Sequence, residues 1–470
     1  CLPRTLLSTS ASHECLMTTT TLQKPLGNSG QTIQQLLRGT DFDNILTCVH
    51  CGLCLDNCPT YRELHDEKES PRGRLYLMRG LYDGELDLTE EIKGSLDRCL
   101  GCRACETACP SGVPYGELLE KARGVIHETS SQGVIEQTLR TVLLKGLFRS
   151  TFLLSTASKL LKLYALTGLP KLITNTALGK FLPKSFVFQQ HLLPDCSGRS
   201  FKQQHAHDDL QAVAGTKSLG RVGLFTGCVM DVSEAAVHES TVRLLRAIGY
   251  DVVVPEEQGC CGALHVHSGD RITARELAET NRQAFAEHNF DLVVTNAAGC
   301  SAQLKDYHHL FPKSDPEHNK DWKGLSSKIV DILELLSRHP EEVTQLSWRQ
   351  DEDVVLYDAP CHLMHAQKID ANPRQLVNSL PGVQLVPLTE SNWCCGSAGI
   401  YNLLQPELAG DVLKRKIDSV RETLEANPKA TTLVTGNPGC LYQIRAGIRE
   451  AKLPLRVIHP AVYLAERLQG

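Results

Sequence analysis

The segment CVHCGLCLDNCP, residues 48–59, decides the fold of this chain, and the segment CLGCRACETACP, residues 99–110, repeats its pattern. Both match C-x2-C-x2-C-x3-C-P, with a proline directly after the fourth cysteine. At this spacing three thiolates surround one cubane, and the fourth reaches a neighbouring cluster. We therefore predict two adjacent 4Fe–4S clusters that exchange one ligand each.

This crossed arrangement predicts which cysteines bind each cluster. Thiolates suit iron–sulfur chemistry because they are soft ligands. Zinc in two all-cysteine tetrahedral sites is the alternative, and the paired Cys-Pro endings favour clusters. The first cluster is assigned to Cys48, Cys51, Cys54 and Cys109, and the second to Cys58, Cys99, Cys102 and Cys105.

The sequence around these motifs has helical periodicity. Forty residues separate Cys58 from Cys99, and the stretches LMRGLYDGEL and EEIKGSLDRCL show apolar spacings of three and four. We predict a helical ferredoxin-like domain over residues 30–130. Arg72 and Arg74, in SPRGR, can raise a cluster's potential by their charge, or cap helices and form ion pairs.

Composition sets the broad class of protein. The chain has 470 residues, which predicts two or three domains, and a net charge of −5, which does not indicate a nucleic-acid binder. Its 19 cysteines are clustered, which favours metal ligation in a reducing, cytoplasmic setting over disulfides. No apolar run reaches eighteen residues, so no transmembrane helix is predicted.

Residues 1–29 look irregular; residues 1–16 are expected to be a gene-prediction artefact or the tail of a transit-like segment, so Cys1 and Cys15 are not site candidates.

Residues 131–220 form a basic connector. From Gln137 to Pro194 there is no Asp or Glu, while Leu and Phe recur at helical spacing among lysines and arginines. Basic amphipathic helices bind anionic membrane surfaces; packing against protein, with the lysines solvated, is the alternative. Residues 195–220 are polar and read as a linker, where Cys196 stands alone.

Residues 221–470 contain an internal repeat, with halves at 221–340 and 341–470. In each half, short Val- and Leu-rich runs alternate with helical stretches, which predicts parallel strands in βαβ units. The cysteines follow the predicted strands, where open α/β sheets bind ligands. The fold class is therefore α+β multidomain: the helical two-cluster domain, then a duplicated α/β domain.

Four cysteines in each half make a second candidate site. A further iron–sulfur cluster, zinc, redox-active thiols and buried structural cysteines all remain open. Gly262 and Gly396, which follow adjacent cysteine pairs, allow close backbone approach. Nearby histidines, namely His265, His267, His362 and His365, can ligate metal, carry protons, contact a quinone or serve structure. The cysteines are Cys228, Cys260, Cys261 and Cys300, then Cys361, Cys394, Cys395 and Cys440.

Over residues 30–470 the chain resembles the iron–sulfur subunit of glycolate oxidase (glycolate dehydrogenase). The resemblance rests on TCVHCGLCLDNCPTY, ESPRGRLYLM, LDRCLGCRACETACPSGVPYG, GCCGALHVHSG and NWCCGSAGIYN. The layout is also similar to subunits of anaerobic glycerol-3-phosphate dehydrogenase and to heterodisulfide reductase. In the latter each CCG unit ends in C-x-x-C, whereas Gln303 and Gln443 stand at those positions here, which argues against a five-cysteine site.

The resemblance implies an electron-transfer role. A partner subunit carrying FAD would oxidise glycolate, or D-lactate, and electrons would pass through this chain to a quinone or another membrane acceptor, with peripheral contact at the inner face of the membrane. No G-x-G-x-x-G lies at a strand–helix junction, consistent with a flavin on another chain. The competing hypotheses are a thiol–disulfide enzyme acting at the CCG cysteines and a non-catalytic scaffold holding zinc.

Overall fold

The computed structural model describes residues 32–40, 42–129, 137–138, 140–176, 181–194, 196, 198–208, 210–311 and 316–469. The expectations for residues 1–29, including those for Cys1 and Cys15, lie outside these ranges.

The N-terminal part is helical, and its described residues up to 129 contain no strand. Ser70 caps the third helix by accepting from the Gly73 amide, and Pro71 occupies its first position, where its missing N–H costs nothing. A core that includes Phe42, Met78 and Leu96 joins the helices. The helices are α1 (Ile33–Arg38), α2 (Pro59–Leu64), α3 (Pro71–Asp83), α4 (Glu90–Asp97), α5 (Ala104–Thr107) and α6 (Tyr115–Thr129), with 3-10 turns at Asp43–Thr47 and Glu67–Glu69.

The connector is also helical where it is described. None of the described helices has both the length and the apolar character needed to cross a bilayer. The expected linker at 195–220 contains a short helix, whose Phe201 is fully buried in the core of the C-terminal part. The elements are a π-helical turn (Thr141–Gly146), a 3-10 turn (Leu147–Arg149), α7 (Thr151–Leu166), α8 (Leu169–Asn175), α9 (Lys184–Leu192) and α10 (Phe201–His205).

The first half contains a four-stranded parallel sheet in the order β2-β1-β3-β4. Its central strand, β1, is buried along most of its length, as expected for a parallel sheet covered by helices. The elements are β1 (Gly220–Phe225), α11 (Val229–Ser233), α12 (Ala235–Ile248), β2 (Tyr250–Val253), α13 (Ala263–His267), α14 (Arg271–Ala286), β3 (Leu292–Thr295), α15 (Ala298–Lys305), a 3-10 turn (Tyr307–Leu310), α16 (Pro316–Lys328), β4 (Ile329–Asp331), α17 (Ile332–Arg338) and α18 (Pro340–Gln345).

The second half repeats this topology in the order β6-β5-β7-β8, again all parallel. Identical strand orders support the internal repeat that the sequence predicts. The elements are β5 (Asp353–Tyr357), a π-helical turn (His362–Ala366), α19 (Ala371–Asn378), β6 (Val383–Pro387), α20 (Tyr401–Leu404), α21 (Pro406–Ala426), β7 (Thr432–Val434), α22 (Pro438–Glu450), β8 (Arg456–Ile458) and α23 (Pro460–Arg467).

The two halves share one hydrophobic core. Val222 and Val294 of the first sheet belong to the same buried cluster as Val355 and Val434 of the second. Helix α23, at the end of the chain, packs against α12 of the first half, and Arg243 donates to the Ala465 and Leu468 carbonyls at 3.1 and 2.9 Å. The halves are therefore held together as one body.

Candidate iron–sulfur centres

The cysteines of the first predicted set line one cavity near the protein surface. We call Cys48, Cys51, Cys54 and Cys109 the outer set; all four border this cavity, together with Cys105. Three of them lie on the loop between the first 3-10 turn and α2, where Gly52 has a φ of +85° and turns the chain sharply. Cys51 is exposed. Burial raises the pKa of the Cys54 thiol to about 11.

The second predicted set lines a deeper cavity. We call Cys58, Cys99, Cys102 and Cys105 the inner set, and all four border this cavity. Cys58 stands directly before α2, Cys99 follows α4, and Cys105 lies in α5. Because Cys105 lines both cavities, the two lie side by side.

The two cavities are distinguished by the thiols that line them. Each is bordered by one complete predicted set of four cysteines. Among the described residues, no group of three or more His, Cys, Asp or Glu side chains forms a ready-made site for one metal ion. Four thiols around each cavity are the donor set of a 4Fe–4S cube.

Hydrogen-bond donors surround the inner set. The Tyr115 hydroxyl donates to the Cys99 sulfur at 3.5 Å, and the Gly101 amide donates to it at 3.4 Å. The Thr60 hydroxyl lies 3.3 Å from the Cys58 sulfur. Burial opposes ionisation of Cys99, but the charges of Arg74 and Arg123 together with the two hydrogen bonds lower the pKa of this thiol.

The two arginines of the SPRGR segment have different surroundings. Arg72 is part-exposed and pairs with Glu67 at 2.6 Å. Arg74 is fully buried, donates to Thr60 at 2.9 Å and pairs with the buried Glu69 at 2.8 Å. Only Arg74 thus brings its charge into the interior beside the inner set.

In the first repeat half, the four cysteines form a chain of neighbouring thiols. The Cys228 and Cys260 sulfurs are 3.4 Å apart. Cys261 follows in sequence, and its thiol interacts with those of Cys260 and Cys300. Hydrogen bonding to Cys260 and burial raise the pKa of Cys228 well above its ordinary value.

The second half repeats this chain of thiols. Cys361 interacts with Cys394, which is followed by Cys395, and the Cys395 and Cys440 sulfurs are 3.2 Å apart. Asn437 donates to the Cys440 sulfur at 3.7 Å. The hydrogen bond with Cys440 and burial hold the pKa of Cys395 well above its ordinary value, against the opposing effect of the bond with Cys394.

Glycines place the adjacent cysteine pairs, as the sequence predicts. Gly262 and Gly396 have φ values of +83° and +84°, which other residues adopt only with strain. A Cβ on Gly396 would lie 2.6 Å from the Ala409 carbonyl oxygen. The turn after Cys395 thus depends on this close approach to α21.

The inner set borders the second half directly. Cys102 and Cys394 line one cavity between the two parts of the molecule, and both belong to a buried cluster that includes Leu100 and Trp393. Thr107 and His365 hydrogen-bond at 2.9 Å across the same boundary. The predicted centres are therefore contiguous from the outer set to the second half.

The four histidines near the cysteines make different contacts. The Nε2 atom of His265 bonds to the Leu144 carbonyl at 2.9 Å, so this side chain ties the first half to the connector. His365 bridges to Thr107. His267 lies 3.4 Å from Glu120 of α6. His362 contacts the Cys361 sulfur through Nδ1 at 3.5 Å, and its ring lies 5.4 Å from that of His267.

Sequence reasoning missed several residues around the inner set. Thr60, Tyr115 and Arg123 were not singled out, although Arg123 donates to the Cys99 carbonyl at 2.7 Å. The only local signal is their place next to the motifs, since Thr60 follows the first Cys-Pro pair and Tyr115 stands five residues after the second. Gln303 and Gln443, at the C-x-x-C positions, are buried.

Family descriptions match the two parts of the molecule. The description "4Fe-4S dicluster domain" matches residues 44–113, and "Cysteine-rich domain" matches residues 222–305 and 355–445. Fold and cysteine sites therefore define an iron–sulfur protein in which a 4Fe–4S domain precedes two cysteine-rich domains.

Similar proteins specify the family. The chain is 38% identical over 429 residues to a probable glycolate oxidase iron–sulfur subunit of Bacillus subtilis (strain 168), covering 91% of this chain and 94% of the relative. It is 30% identical over 414 residues to the glycolate oxidase iron–sulfur subunit of Escherichia coli (strain K12), covering 87% and 92%. Lactate utilization protein A of Geobacillus thermodenitrificans is 31% identical over 250 residues, 53% of this chain and 99% of the relative. The chain belongs to the family of glycolate oxidase iron–sulfur subunits, which confirms the resemblance found in the sequence.

Proposed function

We propose that this chain is the electron-transfer subunit of a glycolate-oxidising complex, with D-lactate as a second candidate substrate. The observation that carries this proposal is the pair of adjoining cavities, each lined by one of the predicted four-cysteine sets. One-electron carriers placed side by side are what a relay requires. The names of the relatives support glycolate and lactate as substrates.

In this proposal the outer and inner sets each hold a 4Fe–4S cluster. When bound, the clusters supply one-electron redox chemistry. The chain contributes the thiolates, the hydrogen bonds to Cys58 and Cys99, and a core that keeps solvent from the inner set. The exposed Cys51 leaves the outer set open to a redox partner.

The substrate-oxidising site belongs to a partner chain carrying FAD. Such a subunit would pass electrons to this chain, which would pass them to a quinone or another membrane acceptor. Both steps require docking. The described surface around the outer set suits the first, since Leu46, Val49 and Leu53 are all more than half exposed there.

The connector suits contact with the membrane. Leu153, Leu160, Leu163 and Leu166, which we call the apolar stripe, recur at helical spacing on α7 and are 45–75% exposed. Exposed lysines 159 and 162 lie among them, and no acidic residue occurs between 137 and 194. An apolar face on a segment whose own charged residues are all basic matches an anionic lipid surface.

For the CCG cysteines we propose a further iron–sulfur cluster in the second half. Its four thiols have raised pKa values, which makes them poor nucleophiles and argues against a thiol–disulfide enzyme. A cluster supplies the positive charge that lets buried thiolates form.

Co-purification tests the function. The tagged chain is expressed with its neighbouring gene products, and the complex is assayed anaerobically for glycolate-dependent dye reduction. We expect a flavoprotein to co-purify and glycolate to reduce the iron–sulfur chain. Recovery of the chain without a flavoprotein, or activity with glycerol 3-phosphate or a heterodisulfide instead, would favour one of the related CCG-containing complexes.

A further inference from the structure

Three buried residues next to the inner set, Arg74, Thr60 and Glu69, form a charged network that the part-exposed Arg98 joins. Arg74 is completely buried and donates to Thr60, to the Ser95 carbonyl at 2.8 Å and to Glu69. Glu69 also pairs with Arg98. Two arginines therefore share one carboxylate, and the formal charges of these three groups sum to +1. Asp66 and Glu91 also interact with Arg98, whereas Arg74 carries its charge in the interior.

This positive charge lies against the sulfur ligands. Thr60 connects them, because its hydroxyl accepts from Arg74 at 2.9 Å and lies 3.3 Å from the Cys58 sulfur. The same hydroxyl donates to the Glu69 carbonyl at 2.9 Å, so its one proton is shared between that oxygen and the sulfur. Tyr115, the first residue of α6, donates to the Cys99 sulfur. Burial by itself disfavours added negative charge, so a buried cluster with no such donors would be difficult to reduce.

The outer set lacks an equivalent arrangement. Within the described part of the chain, no side chain donates a hydrogen bond to the sulfurs of Cys48, Cys51 or Cys109, while Cys54 accepts from the backbone amide of Arg72. Arg72, whose guanidinium lies near Gly52 in the outer loop, is part-exposed and neutralised by its two bonds to Glu67. Its charge is therefore paired and screened.

We propose that Arg74, Thr60 and Tyr115 set the reduction potential of the cluster in the inner set, raising it by stabilising the extra negative charge of the reduced form. Net charge and hydrogen bonds to sulfur are established determinants of cluster potentials. The electron involved comes from the partner flavin, so this inference rests on the proposed function. These three are positioning residues, because they act through the cysteines.

The test is an EPR-monitored redox titration of the anaerobically purified full chain. We expect Tyr115→Phe and Thr60→Val to lower the midpoint potential of one cluster and to leave the other unchanged. Arg74→Gln, which removes the charge but keeps an amide donor, should lower the midpoint potential of that same cluster further. Iron per chain should stay at the wild-type value, because none of these residues binds the cluster.

Two matched controls separate tuning from structural effects. Arg72→Gln is the same substitution two positions away on α3. Because Arg72 lines the outer cavity and not the inner one, this variant should leave the potential of the inner-set cluster unchanged. Tyr82→Phe removes a hydroxyl that bonds to Asp43 at 2.7 Å in the same domain, and it should shift neither potential. If Arg74→Gln fails to assemble clusters, Tyr115→Phe and Thr60→Val still decide the question.

Unchanged or raised potentials in Tyr115→Phe and Thr60→Val, with full iron content, would overturn this inference while leaving the proposed function intact. The same would follow if Arg72→Gln shifted the potential of the inner-set cluster as far as Arg74→Gln does. A wild-type chain without two clusters would instead contradict the proposed function.

Discussion

Cys102 and Cys394 border the same cavity, although one belongs to the helical N-terminal part and the other to the second repeat half. Both thiols also lie in one buried cluster with Leu100 and Trp393. No comparable contact joins a cysteine of the first half to the inner set within the described residues. The repeat is thus symmetric in its topology but asymmetric in its access to the predicted clusters.

This asymmetry predicts different iron contents for matched double variants. Three clusters in the wild-type chain correspond to about twelve irons, and the two N-terminal clusters alone to about eight. We expect Cys394→Ser with Cys395→Ser to lower the iron content from about twelve to about eight, measured by anaerobic metal analysis. The equivalent first-half variant, Cys260→Ser with Cys261→Ser, should leave it unchanged. Equal loss from both variants, or none, would contradict a cluster confined to the second half.

Loss of an outer-set ligand should remove a cluster and destabilise the helical domain. Cys51→Ser replaces an exposed thiol, so the substitution itself removes little packing. Any large loss of stability would come from the cluster, because ligation contributes to folding. We expect lower iron content, a lower unfolding temperature and no electron transfer from the flavoprotein. Cys196→Ser, outside all four cysteine sets, is the control; an EPR spectrum of Cys51→Ser identical to the parent would refute the ligand assignment.

Negative charges introduced on the apolar stripe should abolish membrane binding. Leu163 and Leu166 are 62% and 75% exposed, so Leu163→Glu with Leu166→Glu should fold normally while repelling anionic lipid. We expect the wild-type chain to float with vesicles containing phosphatidylglycerol, and less so at high salt, because screening weakens the attraction of the lysines. The double variant should stay in solution.

The control for membrane binding is Ile272→Glu, an exposed apolar position on α14 with 57% exposure. It should bind vesicles as the parent does. Vesicle binding that survives in the stripe variant would show that the stripe does not face lipid. Loss of flavoprotein co-purification in that variant, with no vesicle binding by the parent, would assign the stripe to a protein partner.

Asp331 makes stability depend on pH. Its side chain caps α17 by accepting from the Leu333 amide at 2.9 Å, and burial raises its pKa to about 7. Between about pH 4 and pH 7 the folded chain holds a proton that the unfolded chain has released. Stability from this group therefore falls as pH rises through that window, by at most about 1.4 kcal/mol per pH unit, and is level above it.

Asp331→Asn keeps the capping oxygen and removes the titration. We expect the unfolding temperature of the variant to exceed that of the parent by a margin that grows from pH 5 to pH 7 and then stays constant. Asp418→Asn is the control, because Asp418 is about half exposed and paired with Arg421 on the surface. If the difference in unfolding temperature between Asp331→Asn and the parent is constant from pH 5 to pH 8, Asp331 ionises normally.

Six of the eight strands were predictable because their apolar runs are long and rich in Val and Leu. The strands β4 and β8, with three residues each, were not predicted. Segments this short show no periodicity of their own; β7 is equally short but was marked by the Gly-Asn-Pro-Gly-Cys segment that follows it. They become strands because β3 and β7 offer free edges for parallel pairing. The helix of the expected linker was missed for a similar reason, since Phe201 is one apolar residue in a polar segment and is buried only by the core around it.

The sequence by itself determined the cysteine sets, the helical and repeated α/β parts, and the family. It could do so because cluster ligation demands fixed spacings along the chain, and strands and helices leave periodic patterns. Tertiary structure alone decided which half borders the inner set and which arginine of SPRGR carries its charge into the interior. Those choices depend on packing between segments far apart in sequence, where burial and the nearest charged partner fix the outcome and no local pattern records it.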